Sequence, residues 1–187
     1  MPPCRIADTA ARQTDPADWA STLVDTEFTL GPEYVPPDLV STAQAGIRGG
    51  QIRSIVIDDL AAMVTAAKRA GHKLVIKSAY RSYERQQATF DSLVRGYSRE
   101  FALRSAGRPG HSEHQLGTAL DFDGSQAWLA QNAWVFGFVL SYPEGRSPEL
   151  TCYKPEAWHF RYFGVDLAAE IHASGLSPRE WLWEHQD

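Results

Sequence analysis

Cysteine is scarce in this 187-residue chain: only Cys4 and Cys152 are present. Neither belongs to a CxxC pair, which argues against a structural zinc cluster. Two readings of them stay open, a pair of free, partly buried thiols or one long-range disulfide of the kind found in oxidising compartments. Long apolar runs are also missing. The nearest, residues 134–140, falls far short of the roughly 18 residues of a membrane span. Basic residues are in the minority, with 18 Lys and Arg against 23 Asp and Glu and a net charge of −5. They are scattered, so no clustered basic face marks a nucleic-acid partner. The opening Met-Pro-Pro-Cys-Arg holds no signal-peptide core, which leaves either a cytosolic protein or a trimmed mature form. There are no internal repeats, low-complexity tracts or interdomain linker. The loop glycines Gly46, Gly49 and Gly50 match neither GxGxxG nor a P-loop.

What remains suits a folded domain. The hydrophobic fraction is 43% and the charged fraction 22%, ordinary for one domain with a proper core. Residues 1–29 are polar and irregular and read as an arm wrapping a domain formed by residues 30–187. Pro32, Pro36 and Pro37 keep residues 30–40 extended. Apolar residues recur at helical spacing from Ile52 to Ala67, predicting an amphipathic helix over 52–70 stopped by Gly71, with Met63 in the core. A strand follows at 73–79. Ser82 can cap a helix over 83–106 that breaks near Gly96. Further expectations are a strand at 118–122, a helix at 126–137, an extended piece at 138–142, a turn at 143–148 and an aromatic-rich strand over 152–163. A helix at 165–174 ends at Gly175, and Ser177-Pro178-Arg179-Glu180 reads as a capping box opening the last helix.

The chemistry concentrates in Arg108-Pro-Gly-His-Ser-Glu-His-Gln-Leu-Gly-Thr-Ala-Leu-Asp-Phe-Asp123, which Pro109 and Gly110 make poor for a helix. His114 and Asp121 are seven residues apart, within reach of each other if the loop folds back at Gly117. Imidazole with carboxylate suits zinc, which in catalytic sites takes three protein ligands and keeps one position open. Glu156 and His159 supply further donors. On a helix their spacing puts them on one face, as in di-iron Glu-x-x-His motifs, but no second such motif exists. On a regular strand residues three apart point to opposite faces. A shared site therefore requires Pro155 and Glu156 to lie in the entering turn, with the strand regular from about Ala157. The resulting set is a metal on His114, Asp121 and His159, Glu156 as general base, and Arg81 as fixed positive charge for a developing oxyanion. His72, His172 and His185 read as ordinary packing or surface histidines.

Ser78-Ala-Tyr-Arg-Ser82, Ser112-Glu-His-Gln-Leu-Gly-Thr-Ala-Leu-Asp121 and Glu156-Ala-Trp-His159 resemble, in this order, the three motifs of the VanY-type zinc D-alanyl-D-alanine carboxypeptidases. That family is related to the vancomycin-resistance D,D-dipeptidases and the Hedgehog metal-binding domain. The resemblance spans roughly residues 30–165. It implies an α+β fold, a single compact domain with a small central antiparallel sheet flanked by helices. It also implies one Zn2+ on His114, Asp121 and His159, Glu156 as base and Arg81 polarising the substrate carbonyl. Ser112 is expected to touch substrate, Gln86 in the YRSxxxQ run to line the cleft, and His111 to support the site or contact substrate. Pro155 stands where many relatives carry an aromatic residue. Because peptidoglycan lies outside the cytoplasmic membrane, the resemblance implies an exported, extracytoplasmic protein whose signal or anchor segment has been removed, and it favours the Cys4–Cys152 disulfide.

The activity implied is zinc-dependent hydrolysis of the bond before a C-terminal D-alanine in a peptidoglycan stem peptide. Within the same family stand an L,D-carboxypeptidase and a cell-wall endopeptidase. A non-catalytic, metal-containing module is the reading from another class, and retention of both Glu156 and Arg81 weighs against it. The expected partner is the stem peptide alone, with the chain a monomer.

Overall fold

The computed structural model describes residues 3–185; residues 1–2 and 186–187, the outer ends of the expected arm and domain, lie outside the described residues. The chain folds as α+β, with seven α-helices and a four-stranded antiparallel sheet among the described residues. Two small pairings come first. Strand β1 (Thr9–Ala10) runs parallel to β2 (Phe28–Thr29), tying the start of the arm to its end. Strand β3 (Leu39–Ser41) pairs antiparallel with β4 (Gln51–Arg53). Helix α1 (Ile57–Arg69) follows, burying Leu60, Met63 and Ala67. The helix expected from residue 52 therefore starts five residues late. Ile52 fits the helical spacing, but the backbone of residues 51–53 is committed to the ladder with 39–41, and a short 3-10 turn, Ser54–Val56, joins the two.

Strand β5 (Val75–Ser78) leads to α2 (Tyr83–Gly96), with the Ser82 hydroxyl accepting from the Arg85 N–H as N-cap. The helix breaks after Gly96, and Ser98 caps the short α3 (Arg99–Ser105). A 3-10 turn, Glu113–Leu116, ends at Gly117 in the left-handed region (φ 70°) and delivers the chain to β6 (Ala119–Asp123). Helix α4 (Gln126–Asn132) gives way to a 3-10 turn before β7 (Phe138–Leu140). A single helical turn, α5 (Pro148–Thr151), comes just before the expected 152–163 strand. Strand β8 is only His159–Tyr162. Cys152 ends α5 in a left-handed conformation and Pro155 follows, so the chain is extended only from His159. Helices α6 (Val165–Ser174) and α7 (Pro178–Glu184) close the chain, α7 with the expected Ser177/Glu180 capping box.

The sheet order β5-β6-β8-β7 puts the motif strands β6 and β8 in the middle. Their alternation decides which side does what. Leu120 and Phe122 of β6, with Phe160 and Tyr162 of β8, enter a core shared with Ile52, Leu60, Met63 and Phe138. That leaves Asp121, His159 and Arg161 on the opposite face. A second cluster, with Leu23 and Phe28 of the arm against Phe163, Ala168, Ile171 and Leu182, packs the arm onto α6 and α7. Cys4 and Cys152 are joined by a disulfide that pins the start of the arm beside the approach to β8.

Candidate metal centre

Asp121 and His159 are direct partners across the β6–β8 ladder. Side chains so placed share a face, with Cβ atoms about 4.5–5.5 Å apart. His114 is carried to them by the 3-10 turn, whose left-handed end at Gly117 turns the chain back into β6. Asp121 bridges the two imidazoles: Oδ2 lies 3.1 Å from His114 Nε2, and Oδ1 lies 2.9 Å from His159 Nδ1. One ligand atom from each of the three residues falls within a 4.8 Å set.

The donor chemistry fits a divalent metal. Each histidine's far nitrogen has its own acceptor, the Ala79 carbonyl 2.8 Å from His114 Nδ1 and the Glu113 carboxylate 2.9 Å from His159 Nε2. In the neutral rings a metal requires, the N–H goes to those acceptors, which leaves His114 Nε2 and His159 Nδ1 as the lone-pair donors on the Asp121 side. This is the outer support that metal-bound histidines generally have. Burial lowers the His114 pKa, which favours the neutral ring a metal requires. Burial alone would also lower His159, but the Asp121 and Glu113 hydrogen bonds overcome it and push the ring up to about 10. A metal must displace that proton, so its binding weakens as pH falls. Asp121 is held well below the ordinary carboxylate range: desolvation opposes this, and the two histidines outweigh it.

The three residues line a cleft of about 200 Å³ together with Arg81, Ser112 and Glu156. Arg81, Thr89 and Leu93 also line a second, wider groove of about 690 Å³ beside Gly49, Gly50 and α2. Glu156 sits in the turn that enters β8. Its N–H donates to the Tyr142 carbonyl and its own carbonyl accepts from the His159 N–H, so residues three apart reach one site because the strand has not yet begun. Burial pushes the Glu156 carboxyl up to about 7, with Asp121 and Glu113 adding to the rise and His159 and Arg81 opposing it. Arg81 follows the end of β5, its N–H donating to the His114 carbonyl. Its guanidinium donates to Ser78 Oγ (2.7 Å) and Gln86 Oε1 (2.8 Å) and lies 3.9 Å from Asp121.

Gln86 is 1% exposed; it accepts from Arg81 and donates to the Gly107 carbonyl, so it lines the cleft by bracing the arginine. Ser112 is buried at the cleft wall. His111 is not among the residues lining the cleft; its ring lies 2.7 Å from the Asp25 carbonyl and 2.9 Å from the Asp8 carboxylate, where it fastens the N-terminal segment. Glu113 and Arg161 were not singled out from the sequence. Glu113 Oε2 meets His159 and accepts from Ser141 Oγ, while Oε1 accepts from Arg161 Nη1 (3.2 Å). Nothing local signals this pairing of residues 48 apart.

The family profile described as VanY, D-alanyl-D-alanine carboxypeptidase, matches residues 49–165. Putative carboxypeptidase YodJ of Bacillus subtilis (strain 168) is 34% identical over 180 residues, 86% of this chain, and the alignment spans 66% of that relative's length. Among solved structures, the LdcB LD-carboxypeptidase superposes with a TM-score of 0.79 at 31% identity, covering 88% of this chain and 86% of that one. A vancomycin-resistance D,D-pentapeptidase VanY variant in complex with Zn(II) gives 0.78 at 29% identity, covering 88% and 99%. The motif order, the sheet that pairs Asp121 with His159, and these matches lead to one conclusion: the chain belongs to the VanY D-alanyl-D-alanine carboxypeptidase family.

Proposed function

We propose that this protein is a zinc peptidase that releases C-terminal D-alanine from peptidoglycan stem peptides, acting as a D,D-carboxypeptidase. The observation that carries the reading is the convergence of His114, Asp121, His159, Glu156 and Arg81 on one cleft. His114, Asp121 and His159 would hold a zinc ion, which would supply Lewis acidity for activating water and polarising the carbonyl. Glu156, buried in the same cleft, takes a proton from the attacking water and returns it to the departing amine. Arg81, locked by Ser78 and Gln86, presents fixed charge to the carbonyl oxygen as negative charge develops there. Ser112 offers a hydroxyl to the bound chain, and the groove beyond Arg81 gives the rest of the stem peptide somewhere to lie.

The second reading, L,D-carboxypeptidase, has a specific support: the LD-carboxypeptidase LdcB superposes as closely as the D,D-enzyme. Stereochemistry at the residue before the scissile bond separates the two. D-Alanine release is to be measured from a pentapeptide stem ending in D-Ala-D-Ala and from the tetrapeptide ending in a single D-Ala. The D,D reading expects turnover of the pentapeptide and at most slow turnover of the tetrapeptide; the reverse preference replaces it with the L,D reading. Cleavage confined to cross-linked muropeptides indicates an endopeptidase, and no cleavage by zinc-loaded protein indicates a non-catalytic module. The Cys4–Cys152 disulfide supports an extracytoplasmic location, in keeping with a peptidoglycan substrate and a monomeric enzyme.

A further inference from the structure

We infer that Glu113 is a positioning residue for the metal ligand His159, and that Arg161 anchors it to the arm segment around residues 19–22. Three layers of contact carry this. Glu113 divides its carboxylate: Oε2 accepts from His159 Nε2 and Ser141 Oγ, and Oε1 accepts from Arg161. The first bond holds the His159 ring in the orientation and tautomer that turn Nδ1 toward Asp121. Arg161 is 0% exposed, two residues further along the same face of β8. Its other terminal nitrogen donates to three backbone carbonyls of the arm, Trp19 (3.0 Å), Ala20 (3.3 Å) and Thr22 (2.8 Å), and the guanidinium lies over the Phe163 ring. A buried carboxylate left without a partner is strongly destabilising. Arg161 removes that cost for Glu113, and the carbonyls help solvate Arg161 in turn.

Residues 19–22 precede the stretch matched by the family profile. Part of what sets the metal-ligand geometry therefore lies in the arm. The inference rests on the metal reading of His114, Asp121 and His159, and its test is read on zinc affinity rather than peptide cleavage.

The test is chelator-competition titration of zinc into the whole chain, with melting temperatures of the metal-free proteins, for wild type, Glu113→Gln and the double variant Glu113→Leu/Arg161→Met. The double variant removes both charges together, a change that buried ion pairs generally tolerate, but takes away the His159 acceptor. Zinc affinity is expected to fall in the order wild type, Glu113→Gln, double variant, by about 10–100-fold at the end of the series, while the metal-free double variant melts cooperatively. Glu113→Gln retains an acceptor and sits between; it carries the test alone if the double variant does not fold. Zinc affinities within twofold of wild type, whatever the melting temperatures do, overturn the positioning role and leave the peptidase reading intact. A wild type that binds no zinc overturns both.

Discussion

At the scale of single residues, the cleft sorts its carboxylates by surroundings. Asp121, between two imidazoles, stays ionised; Glu113 would be raised by burial, but His159 and Arg161 hold it down to about 2. Glu156 has weaker compensation and is pushed up to about 7, where a carboxyl exchanges protons most readily near neutral pH. A base works in its ionised form, so kcat/KM is predicted to rise with pH through the Glu156 pKa and then level off. A bound divalent cation moves that limb below 7. A pH–rate profile on a D-Ala-D-Ala peptide checks this; a rate that falls over the same interval contradicts the base assignment. The residues that meet in the cleft were largely legible in the sequence, because His114 and Asp121 share one short motif and Glu156 and His159 another. Glu113 and Arg161 were not. Glu113 reads as one more polar residue in a loop, Arg161 as a charge among aromatics, and only the return of β8 beside the Glu113 turn joins them.

At the scale of elements, local signals served where local chemistry decides. The Ser82 cap, the break after Gly96, the stop at Gly175 and the Ser177/Glu180 box all lie within a few residues of the backbone groups they satisfy. The errors fall where distant pairing overrides periodicity, as at Ile52, which fits a helical stripe yet joins a strand, and over 152–158, which is bend and turn rather than strand. The entry to β7 offers a sharp test. Gly137 has φ 82°, and an added Cβ would fall 2.6 Å from the Tyr162 ring, whose hydroxyl is tied to Asp59 at 2.6 Å. Gly137→Ala combines a left-handed backbone with overpacking and is predicted to cost about 2–4 kcal/mol of unfolding free energy in urea titration. A loss below 0.5 kcal/mol would show that β7 and β8 can separate freely at this end.

At the scale of the whole molecule, the arm is fastened along its length. The disulfide holds Cys4, Asp8 meets Arg108 and His111, Asp25 meets Arg179, and the carbonyls of Trp19, Ala20 and Thr22 receive Arg161. The polarity and irregularity of residues 1–29 are plain in the sequence, but these contacts were not legible there, since each joins residues roughly a hundred or more positions apart. Replacing Cys4 and Cys152 by Ala together is predicted to cost about 2–5 kcal/mol of stability, because the bridge closes a very long loop. Denaturant unfolding under non-reducing conditions measures it, and an unchanged midpoint would mean the remaining contacts suffice. The central claim is that a metal on His114, Asp121 and His159 works with Glu156 as base. Its most direct test is D-alanine release from a D-Ala-D-Ala pentapeptide by wild type and Glu156→Gln, each with bound zinc quantified, before chelation, after it and after zinc is restored. The account predicts wild-type activity that is lost on chelation and regained with zinc, and a variant that keeps its zinc while losing about 10²–10⁴-fold in rate. Turnover that survives chelation, or a zinc-loaded Glu156→Gln as active as wild type, would contradict it.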